Sequence, residues 1–189
     1  MRIVSGAHRG RAIVAPKGQA TRPTSDRARQ ALFNILEHAA FAPDLRGARV
    51  IDLYAGSGAL GLEALSRGAE FCLFVETDAA ARGAISENLE TLSLFGKARV
   101  HRRDATALGP KPAGDGRPFD IAFLDPPYGQ GLGEKTLAEL TTGGWLAPAA
   151  LIVLERGSDE KDLAHPGFER LDERRYGAAT LFFLRPTSV

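Results

Sequence analysis

The spacing of apolar residues changes along the chain, and its first part has the pattern of a short hairpin. The runs Arg2-Ile3-Val4 and Arg11-Ala12-Ile13-Val14 resemble strands, and Gly6 and Gly10 mark a turn between them. We therefore predict a small β-hairpin at the N-terminus, followed by a connector over residues 16–23 that contains Gly and Pro.

The next segment has the spacing of an amphipathic helix. Thr24 or Ser25 can cap its N-terminus, and Pro43 is expected to stop it. We treat residues 1–24 as a basic hairpin extension and residues 25–189 as the main domain. The apolar face predicted for this helix consists of Ala28, Ala31, Leu32, Ile35, Leu36 and Ala39.

From Arg49 onward, strand-like apolar runs alternate with helical segments. This alternation predicts a parallel sheet with helices on both faces, which is an α/β fold. At the end of the chain, residues 168–175 and 178–184 are separated by a connection so short that it permits only an antiparallel pair. The other predicted strands are 49–53, 71–75, 98–102, 119–124 and 149–155, and the helices are 59–67, 78–94 and 133–142.

Composition excludes several classes of protein. The single cysteine, Cys72, cannot form a disulfide framework, and with four scattered histidines it makes a structural zinc site improbable, so no metal is predicted. No apolar stretch approaches the ~20 residues of a membrane span, and the N-terminus has no signal-peptide pattern. We therefore expect a cytoplasmic protein without a membrane partner.

Charge is unevenly distributed although the net charge is only +1. Residues 1–30 hold seven Lys or Arg against one acid, whereas the remainder holds 17 basic and 22 acidic residues. A basic arm on an acidic body is compatible with a polyanionic partner such as nucleic acid, but it also fits a solvated basic surface.

A glycine-rich turn follows the first predicted strand of the main domain. Gly56, Gly58 and Gly61 satisfy the G-x-G-x-x-G pattern between a strand and a helix, and Glu76 ends the next strand, where it can accept hydrogen bonds from a ribose. This pattern alone fits either a nicotinamide dinucleotide or S-adenosylmethionine. Asp52 at the first strand end and Asp104 after the third strand favour S-adenosylmethionine, because they can face its amino group and its adenine amine.

The run Asp125-Pro126-Pro127-Tyr128 follows the fourth strand. The prolines restrict the loop and supply no N–H, so the Asp125 side chain and the Pro126 carbonyl can act as acceptors facing one pocket. Two acceptors that hold both hydrogens of an exocyclic amine would aim its lone pair at a methyl group. Tyr128 offers a face for base stacking. A rigid turn is the alternative reading, and the position after the fourth strand makes it the weaker one.

These residues resemble the ordered motifs of class I methyltransferases that modify amino groups. The N-terminal runs Arg2–Gly6, Arg9–Arg11 and Arg22–Arg27, with Ala31–Leu36, are similar to the small-subunit ribosomal RNA methyltransferase D family, which methylates N2 of a guanine. The similarity covers nearly the whole chain. Tyr54 stands where that family is expected to have Phe, and Gln30 where Glu is common.

The resemblance implies a Rossmann-like fold with a seven-stranded, mostly parallel sheet, one antiparallel strand, and the small N-terminal hairpin and helix. It implies S-adenosylmethionine as cofactor and small-subunit ribosomal RNA as partner, either free or in the assembled subunit. We expect a monomer, because the predicted elements leave no sustained extra apolar face. Its catalytic residues would be Asp125, Pro126, Pro127 and Tyr128. Its cofactor residues would be Asp52, Tyr54, Ala55, Gly56, Ser57, Gly58, Glu76, Thr77, Asp104 and Ala105. Its RNA-binding residues would be Arg2, Arg9, Arg11, Arg22, Thr24 and Arg27, of which Thr24 and Arg27 would lie near either the cofactor's carboxylate or an RNA phosphate.

Three other functions remain open from the sequence. An N6-adenine methyltransferase acting on DNA or RNA uses a similar tetrapeptide, although such enzymes normally carry a recognition domain. A dinucleotide-dependent oxidoreductase shares the glycine turn, and a catalytically silent RNA-binding relative would share the basic arm.

Overall fold

The computed structural model describes residues 1–18, 24–161 and 165–187. In chain order its helices are α1 (Asp26–His38), α2 (Ala59–Ser66), α3 (Ala79–Thr91) and α4 (Leu132–Thr142). Its strands are β1 (Arg49–Leu53), β2 (Phe71–Val75), β3 (Ala98–His101), β4 (Phe119–Leu124), β5 (Leu146–Gly157), β6 (Phe168–Tyr176) and β7 (Ala179–Pro186). Arg22, predicted to bind RNA, lies outside the described residues.

The seven strands form one sheet in the order β3-β2-β1-β4-β5-β7-β6. β1 to β5 pair in parallel, and β7 runs antiparallel to both of its neighbours. This confirms the predicted mostly parallel sheet with one reversed strand. Because β1 and β4 are adjacent, their carboxyl ends flank the point where strand order reverses, where open α/β sheets bind ligands.

The sheet is covered on both faces, as its continuous apolar strands require. Neighbouring residues of one strand face opposite sides, so that Val50 lies in one buried cluster and Ile51 in the other. The larger cluster includes α1, α2 and the N-terminal segment. Within the described ranges, no helix is both long and apolar enough to cross a membrane.

The buried face of helix α1 overlaps the predicted one at Leu32 and Leu36 but is shifted toward Arg29 and Phe33. Arg29 and Phe33 are buried beside Leu32 and Leu36, whereas Ala28, Ala31, Ile35 and Ala39 are partly exposed. The Phe33 ring packs on Phe123 of β4 with 5.8 Å between centroids. The helix ends at His38, well before Pro43, because Ala39 is already extended.

Two element boundaries also differ by three residues from those predicted. Helix α3 ends at Thr91 rather than residue 94, since Ser93 has a φ of 56° and turns the chain without the glycine that usually marks such an end. Strand β5 begins at Leu146 rather than residue 149, because its pairing with β4 shifts after Phe119 and this irregularity accommodates Pro148.

The N-terminal segment forms a single antiparallel bridge between Arg2 and Ala12 rather than two strands. Ile3 and Ile13 are buried in the larger core cluster, and the backbone N–H groups of Val4 and Ser5 each donate to Glu63 of α2 at 2.9 Å. The segment is therefore packed onto the main body and shares its core.

Candidate active site

A cleft of about 690 Å³ opens at the carboxyl ends of β1, β2 and β4. It brings together residues predicted to bind cofactor with residues predicted to act on the amine, although they come from separate strand ends. Predicted site residues that line it are Thr24, Asp52, Tyr54, Ala55, Gly56, Ser57, Glu76, Thr77, Asp104, Ala105, Asp125, Pro126, Pro127 and Tyr128.

The glycine turn borders the cleft through Gly56. This residue has a φ of 57°, and a side chain there would begin in open space, so a ligand can approach the backbone. Its N–H donates to Glu76 Oε2 at 2.8 Å, while Oε1 of Glu76 accepts from the Asp78 N–H at 2.9 Å. The Glu76 carboxylate is thus fixed at the end of β2, with acceptor capacity remaining on each oxygen.

Gly58 is the predicted cofactor residue that does not line this cleft. It caps the N-terminus of α2 in a left-handed conformation, and a Cβ there would lie 3.1 Å from Phe74 and 3.2 Å from Ile85. Its position therefore serves the turn and the packing of α2.

Asp52 lies at the floor of the cleft, and only 3% of its surface is exposed. Its Oδ2 accepts from the Gly61 N–H at 3.0 Å. Burial raises the pKa of Asp52 well above its ordinary value, and the negative charges of Asp125 and Glu76 add to this rise. A cationic group in the cleft would stabilise the ionised carboxylate.

Tyr54 follows β1 and has a φ of 60°, a conformation uncommon outside glycine and found in strained functional loops. Its hydroxyl lies 2.6 Å from Oγ1 of Thr136, which is buried in α4. This bond gives the hydroxyl a partner, which explains how the site accommodates Tyr where the resemblance led us to expect Phe.

Asp104 stands at the far side of the cleft, after β3. Its Oδ1 accepts from both the N–H and the hydroxyl of Thr106, at 2.8 and 2.7 Å, and these hydrogen bonds lower the pKa of Asp104. The side chain is therefore an ionised acceptor at neutral pH, suited to reading an amine.

The tetrapeptide after β4 forms the other wall. Asp125 is partly exposed, Pro126 is buried, and the Tyr128 hydroxyl donates to Glu155 Oε1 at 2.5 Å. Burial, followed by the charge of Glu155, raises the pKa of Asp125 to about 7. Glu155 is not among the predicted site residues, because its signal in the sequence is only an acid at the carboxyl end of an apolar strand.

The model for the family "Conserved hypothetical protein 95" matches residues 1–185. The ribosomal RNA small subunit methyltransferase D of Escherichia coli is 44% identical over 155 residues, which span 82% of this chain and 74% of that protein. The chain belongs to the ribosomal RNA small subunit methyltransferase D family.

Two further relatives span nearly the full chain. The methyltransferase D of Haemophilus influenzae is 34% identical over 178 residues, covering 94% of this chain and 89% of that one. The solved structure of the E. coli methyltransferase yhhF superposes with a TM-score of 0.84 at 38% identity, covering 98% and 97% of the two chains. The similarity confirms the predicted class I methyltransferase fold.

Membership of the methyltransferase D family decides which cofactor the glycine turn serves. Proteins of this class use S-adenosylmethionine, so the alternative that the chain is a dinucleotide-dependent oxidoreductase is wrong. The residues present fit this cofactor: carboxylates stand at the ends of β1, β2 and β3, and the Gly56 backbone borders open space. The buried Asp52 suits the methionine ammonium, Glu76 the ribose and Asp104 the adenine amine.

The predicted RNA-binding residues fall into two groups, one near the cleft and one near the opposite end of α2. Thr24 lines the cleft, and Arg27 is exposed in the first turn of α1. The hairpin tip with Arg9 lies instead at Ser66, the far end of α2, where Ala7 N–H donates to the Ser66 carbonyl. Arg11 likewise donates to the Thr91 carbonyl at the end of α3, whereas Arg2 donates to Gly10. α2 has eight residues, which separates the tip from the cleft by about 10 Å.

Proposed function

We propose that this protein transfers a methyl group from S-adenosylmethionine to the exocyclic N2 amine of a guanine in small-subunit ribosomal RNA. The observation that carries the proposal is the placement of Asp125–Tyr128 in the same cleft as the glycine turn, Asp52 and Glu76. The names of the relatives, which are small-subunit ribosomal RNA methyltransferases, support the RNA target.

The cofactor supplies an electrophilic methyl group on a sulfonium and leaves as a neutral sulfide. Asp125 and the Pro126 carbonyl accept the two amine hydrogens and direct the nitrogen lone pair into the cleft, so that catalysis comes mostly from positioning. Tyr128 packs on the base. After transfer, the amine loses a proton, for which the ionised Asp125 carboxylate is an acceptor.

Carbon methylation through a cysteine nucleophile is disfavoured. Cys72 is fully buried in β2, and burial raises the pKa of its thiol well above the ordinary value. A neutral buried thiol is a poor nucleophile. The chemistry supported by the site is therefore transfer to nitrogen.

RNA contact is proposed along the face that carries Thr24, Arg27 and the N-terminal arm. Thr24 and Arg27 lie nearest the cleft, and RNA that also contacts Arg9 and Arg11 must extend along α2. We place the enzyme in the cytoplasm as a monomer, with either free ribosomal RNA or the assembled small subunit as substrate.

The decisive experiment incubates the protein with labelled S-adenosylmethionine and one of three substrates: naked ribosomal RNA, small subunits or DNA. We expect N2-methylguanosine in the RNA after nucleoside analysis. N6-methyladenosine, in RNA or DNA, would instead establish the adenine alternative. RNA binding with no labelled product on any substrate would indicate a catalytically silent relative.

A matched substitution tests the acceptor pocket. Asp125→Ala is expected to lower turnover by about 10²–10³-fold, the range seen when a transition-state hydrogen-bond partner is removed. Cofactor affinity measured by calorimetry should be unchanged. Glu87→Ala, an exposed position on α3, is the control and should retain full turnover. Full turnover by Asp125→Ala would exclude the proposed role of Asp125.

A further inference from the structure

A second cavity of about 220 Å³ opens next to the cofactor cleft. The two cavities share Thr24, Leu60, Asp125, Tyr128 and Glu155, so a molecule in the second cavity can reach the acceptor end of the first. Its other walls are largely apolar and come from α1, β5 and β7, through Leu32, Val153 and Leu181. A pocket with largely apolar walls and a few acceptors at one end suits a base turned out of its stack.

Two carboxylates stand side by side at that end. The last registered pair between β4 and β5 is Leu124 with Leu154, so Asp125 and Glu155 follow next to each other on the same side of the sheet. Glu155 is in turn registered with Leu181 of β7, which lines the same cavity. The rise in the pKa of Asp125 caused by the charge of Glu155 is consistent with this proximity.

The Glu155 side chain is held in a defined orientation. Its Oε1 accepts from the Tyr128 hydroxyl at 2.5 Å, and the Tyr128 ring lies against Gly157, where a Cβ would come within 3.1 Å of the ring. Tyr128 engages one oxygen, and the carboxylate keeps further acceptor sites on its other oxygen. A fixed acceptor beside Asp125 can therefore contact a base without rearrangement of the pocket.

Guanine and adenine differ at the edge that would meet this pair. Guanine presents two neighbouring donors, the N1–H and the N2 amine, whereas adenine presents an amine beside an N1 lone pair. We propose that Glu155 determines base specificity by accepting the guanine N1–H while Asp125 accepts from the N2 amine. This deepens, and rests on, the proposed function. A lone pair facing a carboxylate leaves both groups without a donor, so it is strongly rejected.

The test replaces the modified guanine with 2-aminopurine in an otherwise identical ribosomal RNA. This base keeps the 2-amine but has an N1 lone pair in place of the N1–H. We expect the wild-type enzyme to prefer guanine by at least about 100-fold in kcat/KM, a lower bound on the discrimination against analogues that lack a buried hydrogen bond. Glu155→Gln keeps the side-chain shape, still accepts from Tyr128, and can donate to N1. It should therefore lower the preference at least tenfold, with unchanged cofactor affinity.

Two controls separate base reading from support of Tyr128. Tyr128→Phe removes the hydroxyl that orients Glu155, so it should slow both substrates. The carboxylate still has no donor for an N1 lone pair, so the enzyme should keep a preference for guanine. Glu87→Gln, the same substitution at an exposed position of α3, should change neither the preference for guanine nor the cofactor affinity. Equal losses on both bases in Glu155→Gln would overturn the specificity role.

The wild-type measurement alone is also a test, independent of how well any variant folds. A wild-type enzyme that methylates guanine in ribosomal RNA but accepts 2-aminopurine equally well would contradict the role of Glu155 and leave the proposed function intact. A wild-type enzyme that modifies no guanine would overturn both.

Discussion

At the scale of single residues, the acceptor end of the cleft brings carboxylates together in a largely buried setting. Burial raises the pKa of Asp52 well above its ordinary value, and burial with the charge of Glu155 brings the pKa of Asp125 to about 7. A carboxyl group with such a pKa is protonated at mildly acidic pH. Only its ionised form offers every lone pair as an acceptor, so the ability of Asp125 to accept the hydrogens of the target amine should depend on pH.

We predict that kcat/KM rises with pH through about 7 and then levels off. Below that pH the Asp125 carboxyl is protonated and accepts the amine hydrogens poorly. Above it the group is fully ionised. In Glu155→Gln the midpoint should move to lower pH, because one of the two causes of the raised pKa is removed. It should remain above the ordinary aspartate value, because burial is the larger cause.

This profile is measured as initial rates at saturating cofactor and limiting RNA between pH 5.5 and 8.5. Asp104 should not contribute to it, since its hydrogen bonds to Thr106 lower the pKa of Asp104 and keep it ionised throughout this range. A flat wild-type profile, or the same midpoint in Glu155→Gln, would contradict the assignment to Asp125.

At the scale of elements, the third glycine of the turn sets the distance between α2 and β2. A Cβ on Gly61 would lie 2.4 Å from the Phe74 ring and 2.6 Å from Cys72 Sγ, both buried in β2. Alanine favours helices over glycine, by about 1 kcal/mol in a helix interior. The contact distances are so short that overpacking, which typically costs 1–3 kcal/mol, should prevail.

We therefore predict that Gly61→Ala lowers the free energy of unfolding by about 1–2 kcal/mol, as measured by urea denaturation. Gly83 is the matched control, because it lies within α3 and a Cβ there would meet no atom within 4 Å. Gly83→Ala should raise the free energy of unfolding by up to about 1 kcal/mol. If both substitutions changed the free energy of unfolding in the same direction, close packing would not explain the need for glycine at position 61.

The same elements show what the sequence could predict and what it could not. The β/α alternation and the period of the apolar residues placed all five central strands, because a parallel sheet buried on both faces needs continuous apolar runs. The buried face of α1 was only partly predicted: Leu32 and Leu36 are buried as expected, but Arg29 is buried as well, and its ion pair with Glu63 of α2 is a long-range contact that no local pattern reveals. Glu155 was missed because its role depends on the register of β4 and β5, which brings it beside Asp125.

At the scale of the whole molecule, the basic N-terminal segment is tied to the acidic body by a buried network. Glu63 accepts from the Val4 and Ser5 backbone and pairs with Arg67 at 2.9 Å and Arg29 at 3.5 Å. The segment thereby holds a fixed place, and Met1 reaches the cleft. The positive charges of the described part of this segment are therefore presented in fixed positions, which favours a defined docking position for RNA.

The salt dependence of RNA binding tests this surface. Arg27→Gln removes an exposed charge from the first turn of α1, next to Thr24 at the cleft. If Arg27 neutralises one phosphate, the slope of log affinity against log salt should fall by about 1, while cofactor affinity stays the same. Lys97→Gln is the matched control. Lys97 is exposed just before β3, at the amino ends of the parallel strands, whereas the cleft lies at their carboxyl ends. Equal slopes for Arg27→Gln and the wild type would place the RNA away from α1. An equal decrease of the slope in Lys97→Gln would show that the change reflects only the overall charge of the protein.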